Sequence, residues 1–137
     1  MLNLKVQESL RIWHEMISSL ELSELDEIIH EDAIFRSPMA HSPYHGGEAL
    51  KMALSTVMTV FNDFTYHREF ISNDGLNIVL EFSARVNAKK IKGVDLIRFD
   101  EEGLIREFEV MIRPMSGLAA LGEEMGKRIG AQLKEYK

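Results

Sequence analysis

Four stretches of the chain carry apolar residues at helical spacing, and its middle carries them at strand spacing. Val6, Leu10, Trp13, Ile17 and Leu20 recur at steps of four and three, which predicts a helix over residues 3–20 with one buried stripe. Leu22, Leu25, Ile28 and Ile29 predict a second, short helix over about 22–30, with Ser23 as its cap. Ala33-Ile34-Phe35-Arg36 reads as a short strand ended by Pro38, and Pro43, Gly46 and Gly47 mark a loop. Helical period returns over 48–61 through Leu50, Ala53, Leu54, Val57 and Phe61, until Asn62-Asp63 interrupts it.

Alternation then takes over. Phe64, Tyr66 and Phe70 share one parity, with Arg68 on it, and Asn73-Asp74-Gly75 turns the chain. Ile78, Leu80, Phe82, Ala84 and Val86 predict one face of a strand, with Asn77, Val79, Glu81, Ser83 and Arg85 on the other. A turn near Asn87–Lys90, a strand over 91–99, a turn at 100–103 and a strand over 104–113 follow, the last ended by Pro114. Leu118, Leu121, Met125, Ile129 and Leu133 predict a closing helix over 116–134, which Gly117, Gly122, Gly126 and Gly130 weaken as an isolated helix. Short connections make the late strands an antiparallel meander. The class expected is α+β, with helices covering one face of a curved, antiparallel-rich sheet and a small-ligand pocket between the layers.

Length and composition narrow the function. At 137 residues the chain is expected to be one domain, 1–137. The net charge of −6 and the shortness of the basic clusters argue against nucleic acid. No apolar run is long enough for a membrane span, and MLNLKVQESL does not read as a signal peptide, so the expected compartment is the cytoplasm. With no cysteine, disulfides and thiolate metal sites drop out.

One carboxylate breaks the pattern. In strand 91–99 the parity Ile91, Gly93, Asp95, Ile97, Phe99 is apolar except at Asp95. If Ala88-Lys89 is a two-residue hairpin loop, Phe82 sits opposite Asp95. If Glu101-Glu102-Gly103 is a three-residue loop with a left-handed glycine, Asp95 pairs with Glu109 and Ile97 with Glu107, and Met111 and Arg113 share that inward face. Two carboxylates about 5 Å apart in apolar surroundings cannot both ionise cheaply. Either one holds a proton or a cation such as Arg113 or Arg68 neutralises them. The plainer alternative is that Asp95 accepts bonds from an arginine or from backbone amides and is structural. On the opposite face, Leu96, Phe108, Val110 and Ile112 are expected to form a self-complementary dimer surface.

Phe35-Arg36-Ser37-Pro38, then Gly47-Glu48-Ala49-Leu50, then the run Gly93–Ile105 and the segment Val110-Met111-Ile112-Arg113-Pro114 resemble, in that order, the nuclear-transport-factor-2-like superfamily in its SnoaL-like, cyclase and ketosteroid-isomerase-like branch. The resemblance covers nearly the whole chain. It implies a cone-shaped barrel with an internal cavity and frequent homodimerisation through the sheet. The superfamily holds isomerases, cyclases, epoxide hydrolases, dehydratases and non-catalytic binding domains, so fold alone does not assign an activity. The cyclases similar to this chain carry an acid/base aspartate on the last strand, where this chain has Arg113. Asp95 as a base acting from the neighbouring strand is a reading of the residues and not of the resemblance. To the Asp-Arg-Asp arrangement of the related epoxide hydrolases this chain offers only a loose counterpart in Asp95, Arg113 and Glu109.

The expected site thus takes Asp95, Arg113 and His41 as catalytic candidates and Tyr44, Glu109, Arg68, Trp13, Phe82 and Met111 as ligand contacts. His41 and His45 have metal-pair spacing, but Pro43 breaks a helix through them and a closed zinc site wants four ligands, so neither a metal nor a cofactor is expected. A solvated loop histidine is the commoner state for His41, Tyr44 could equally cover the core edge, and Trp13 could be plain core. The function expected is a small-molecule-binding domain, with isomerase, cyclase or hydrolase chemistry by acid-base catalysis on an apolar carbonyl- or epoxide-type ligand. The alternatives are a non-catalytic ligand-binding or dimerisation module, or a pocket filled by its own side chains.

Overall fold

The computed structural model describes all 137 residues. Helix α1 spans Leu4–Ser19, where the Asn3 side chain accepts the free amides of Lys5 and Val6 at its start. Its stripe of Val6, Leu10, Trp13 and Ile17 is buried, whereas Leu20, in a left-handed C-cap, is 64% exposed. Helix α2 is a single turn, Leu25–Ile28. The expected longer helix stops there because Ile29 is already extended and opens strand β1, Ile29–Arg36. A two-residue strand β2, Tyr44–His45, pairs antiparallel with β1 and had no signal in the sequence. Helix α3 spans Gly47–Val60, and the meander follows as β3 Asn62–Ile71, β4 Asn77–Val86, β5 Lys89–Phe99 and β6 Ile105–Arg113. Helix α4, Met115–Leu133, closes the chain with a short 3-10 turn at Lys134–Tyr136.

The six strands form one open sheet in the order β2-β1-β6-β5-β4-β3. The late strands are antiparallel as expected; β1 returns parallel to β6. The helices pack on the face that carries Leu80, Ile97, Phe99, Ile105 and Phe108, all nearly inaccessible to water. Burying a side chain the size of Phe108 contributes ~2–3 kcal/mol. No helix is long and apolar enough to cross a membrane.

Register decides what this inner face presents, and it differs from expectation at three places. The β4–β5 hairpin turns at Asn87-Ala88, with Asn87 at φ 52°, so Val86 pairs with Lys89 and Asp95 lies opposite Leu80 rather than Phe82. The shift is two residues, and Asp95 keeps its inward face. Phe82 instead crosses Gly93. Between β5 and β6 a bulge separates the pairs Phe99↔Ile105 and Arg98↔Glu107, which leaves Arg106 as an extra residue. One extra residue inverts the parity of everything beyond it. Asp95 therefore pairs with Val110, not Glu109, and Phe108, Val110 and Ile112 face inward. The dimer surface expected of those three residues is thereby corrected. Glu107, Glu109, Met111 and Arg113 move to the outer face, where Arg113 is exposed and Met111 is 51% exposed. A bulge between Tyr66 and Glu69 does the same to Arg68. It lies outside, donating to Glu81 at 2.9 and 2.6 Å, and Lys92 joins at 3.3 Å.

Gly93 is where the sheet has no room. A Cβ there would meet the Met111 carbonyl oxygen at 2.4 Å and the Phe82 ring at 2.8 Å. Gly93→Ala is expected to destabilise the fold by ~1–3 kcal/mol, the usual cost of overpacking. Urea denaturation checks this, and an unchanged midpoint would contradict the packing described.

Candidate functional site

Between the sheet and helices α1, α3 and α4 lies a cavity of about 170 Å³. Trp13 comes from α1; Ala53, Leu54, Val57 and Met58 from α3; Phe64 and Tyr66 from β3; and Phe108, Val110 and Ile112 from β6. Helix α4 supplies Leu121, Gly122, Met125, Gly126, Gly130 and Leu133, and Ser37, Pro38, Met39 and Tyr44 close one side. Asp95 is the one carboxylate among these lining residues.

Asp95 sits in a chain of three polar groups drawn from three elements. The Trp13 indole N–H donates to the Tyr66 hydroxyl at 3.0 Å, and that hydroxyl donates to Asp95 Oδ2 at 2.6 Å. Each ring is held by its neighbours. Trp13 meets Phe108 edge-on at 5.5 Å, His14 meets Tyr66 edge-on at 5.4 Å, and Phe64 meets Tyr66 edge-on at 4.8 Å. Asp95 is 6% exposed and accepts no other hydrogen bond from the protein. None of the protein's fully inaccessible side-chain polar atoms lacks a partner, so Oδ1 owes its small accessible surface to the cavity it lines.

Burial governs the charge here. Loss of water pushes the Asp95 carboxyl up from 3.8 to about 7, against the opposing pull of the Tyr66 hydrogen bond. Tyr66 is itself pushed well above its ordinary 10.0, first by burial and then by the adjacent Asp95 charge and hydrogen bond. No cation offsets the carboxylate, because the candidate arginines are on the other side of the sheet. Near neutral pH Asp95 can therefore give or take a proton, and Tyr66, held as the neutral phenol, fixes which oxygen is tied down.

The sequence-predicted residues sort by face. Asp95, Trp13 and Tyr44 line the cavity. Tyr44 stacks on Phe35 at 5.9 Å, with the Lys137 ammonium 5.0 Å from its ring centroid. Phe82 lies one layer back, stacked on Phe64 at 5.0 Å. Arg113, Glu109, Met111 and Arg68 do not reach the cavity; the two bulges carry them outside. His41 is exposed in the loop before β2 and does not line the cavity either. Sequence reasoning missed Tyr66 as a partner of Asp95. Its signal was present in the shared parity with Phe64, which marks an inward aromatic residue with a polar tip.

The comparisons agree with this architecture. A model of the SnoaL-like domain matches residues 10–108, and the chain belongs to that family. A crystal structure named as a steroid delta-isomerase from Pseudomonas aeruginosa is 54% identical, with a TM-score of 0.92 and 97% of each chain covered. A protein with a cystatin-like fold from Silicibacter pomeroyi is 28% identical at a TM-score of 0.85, with 93% of each chain covered. The epoxide hydrolase/cyclase-like enzyme SalBIII of salinomycin biosynthesis, at 19% identity, TM-score 0.62 and coverage of 81% of this chain and 94% of that one, shares the fold. The nuclear-transport-factor-2-like cone expected from the sequence is thus the fold observed. A search of curated proteins finds no match.

Two measurements follow from the buried carboxyl. A raised carboxylate pKa means that the folded state holds its proton more tightly than the unfolded chain, so Asp95 lowers stability as pH rises from about 4 to about 7. Asp95→Asn removes this dependence. The stability of the variant relative to the parent should climb by ~4 kcal/mol between pH 4 and pH 8, because each tenfold change in proton affinity is worth about 1.36 kcal/mol. A flat difference across that range in denaturant titrations would show an ordinary carboxylate. Tyr66→Phe removes the hydrogen bond that favours the charged form. A ¹³C carboxyl titration should then place Asp95 above its parent value, and a downward move would contradict the geometry.

Proposed function

We propose that this protein is a proton-transfer isomerase for a small apolar carbonyl compound, with Asp95 as the group that carries the proton. The observation that supports the reading most is a single carboxyl, poised near neutrality, with one oxygen tied to Tyr66 and the other open to an apolar cavity. A lone acid/base group of this kind suits a reaction that returns the proton it takes. Asp95 Oδ1 would remove a proton from the carbon between a carbonyl and a double bond, and the C–H electron pair would pass into a dienolate. The same oxygen would then deliver the proton to the far carbon of the dienolate, which leaves the conjugated ketone and a regenerated carboxylate.

The developing oxyanion needs donors. Tyr44 Oη donates to no protein group, and Ser37 Oγ accepts from the Met39 amide and keeps its own proton free. The 54% identical neighbour bears an isomerase's name, which supports the same reaction class. Asp95, Tyr44 and Trp13 keep the roles expected of them, Tyr66 joins as the residue that positions Asp95, and the outward arginines have none. The cytoplasm remains the compartment proposed. A homodimer through the sheet would use the outer face around Leu96 and Met111 rather than the inward Phe108, Val110 and Ile112.

Conversion of cyclohex-3-en-1-one to its conjugated isomer, followed by ultraviolet absorbance, tests the reaction. Asp95→Asn should lower the rate ~10²–10⁴-fold, the usual contribution of a positioned acid/base group. The parent rate should rise with pH through a limb near the Asp95 pKa of about 7. A parent protein that binds the ketone without converting it would leave a binding module, and an Asp95→Asn variant at full rate would remove Asp95 from the mechanism.

A further inference from the structure

Helix α4 lines the cavity with Gly122, Gly126 and Gly130, spaced four residues apart and therefore on one face with Leu121, Met125 and Leu133. The three glycines are not alike. A Cβ on Gly122 would lie 2.3 Å from the Met39 methyl, so that position is already filled from the loop before β2. At Gly126 and Gly130 a Cβ would meet nothing within 4 Å. None of the three has a φ that only glycine adopts, so the backbone does not require them. They cost the helix stability that alanine would restore. What their missing side chains leave is open space on the same cavity that Asp95 Oδ1 faces, with no protein donor on that oxygen.

The scale of that space bears on the ligand. A dry cavity of ~150 Å³ lined by aliphatic and aromatic groups holds one benzene ring. The present cavity of about 170 Å³ is of that order and falls below the ~300–1,000 Å³ of sites that enclose drug-sized molecules. We propose that Gly126 and Gly130 set the specificity of this site, by keeping the α4 wall bare so that one ring of a carbonyl compound lies against helix backbone with its reacting edge toward Asp95. The ligand is then a one-ring apolar ketone. This rests on the proposed reading for the carbonyl and on the cavity's shape for the ring.

Binding of cyclohex-2-en-1-one and of the four-ring ketone androst-4-ene-3,17-dione, read from the fluorescence of Trp13, tests the wall without needing turnover. Trp13 is the only tryptophan and lines the cavity. Gly130→Ala and Gly126→Ala should raise the thermal midpoint and weaken the one-ring ketone at least threefold. Gly130→Leu should weaken it at least thirtyfold. A parent that binds cyclohex-2-en-1-one and does not convert cyclohex-3-en-1-one would end the isomerase reading and leave this one standing. Glycine variants that bind as the parent does would overturn the specificity role. A parent that takes neither ketone, or the four-ring one alone, would overturn the one-ring ligand.

Discussion

The hydrogen bond from Tyr66 to Asp95 is the contact on which the interior is organised. It joins β3 to β5 across β4, and the Trp13 indole behind it ties α1 to the same point. A carboxyl in an apolar interior is tolerated only if it is neutral, paired or hydrogen-bonded. Here it gets one hydrogen bond and no cation, so the remaining cost appears as a raised pKa. The aromatic rings around it serve that bond. Phe64, His14 and Phe108 fix the planes of Tyr66 and Trp13, so the hydroxyl keeps its aim without a backbone contact.

How much of this was legible in the sequence depends on which periodicity is followed. Alternation alone places Asp95 inside, because a two-residue error in the hairpin loop preserves parity. Asn87, a residue that tolerates positive φ, was the available mark for the true turn. In β6 the strand's own pattern outweighs the register counted from the loop. Phe108, Val110 and Ile112 alternate with Glu107, Glu109 and Arg113, and burial of the apolar set is worth more than an unbroken ladder. The fold admits one extra residue at Arg106 to achieve it. Arg68 departs from expectation for the opposite reason: unbroken alternation with Phe64 and Tyr66 puts it inside, but a bulge separates it from Tyr66 at the point where the strand turns from aromatic to charged. Bulges leave no composition signal of their own. In β6 the conflict between the counted register and the apolar alternation is the signal, and there the alternation prevails.

Helix α4 shows the other side of the balance between function and stability. A 19-residue helix with four glycines is a poor helix in isolation, and only packing explains some of them. Gly117 is obligatory, because a Cβ there would fall 2.3 Å from the Ile91 side chain. Gly126 and Gly130 have no such neighbour. A helix chosen for stability alone would have alanine at both; glycine costs stability there and leaves the cavity wall bare.

Two buried carboxylates on adjacent strands make the chemical case by contrast. Glu81 sits one residue from Leu80, the partner of Asp95, but on the outer face. Hydrogen bonds from the Arg68 guanidinium, with Lys92 nearby, hold Glu81 down at about 2, so it stays a fixed anion across any physiological pH. Asp95, with a phenol in place of a guanidinium, is pushed the other way to about 7. Had Arg68 or Arg113 faced inward as the sequence register suggested, Asp95 would have become a second Glu81, firmly ionised and too weak a base to take a proton from carbon. The bulges that spoil the counted register are therefore also what keep the arginines away. They leave burial, opposed by one neutral donor, to set the proton affinity of the one carboxyl the cavity contains.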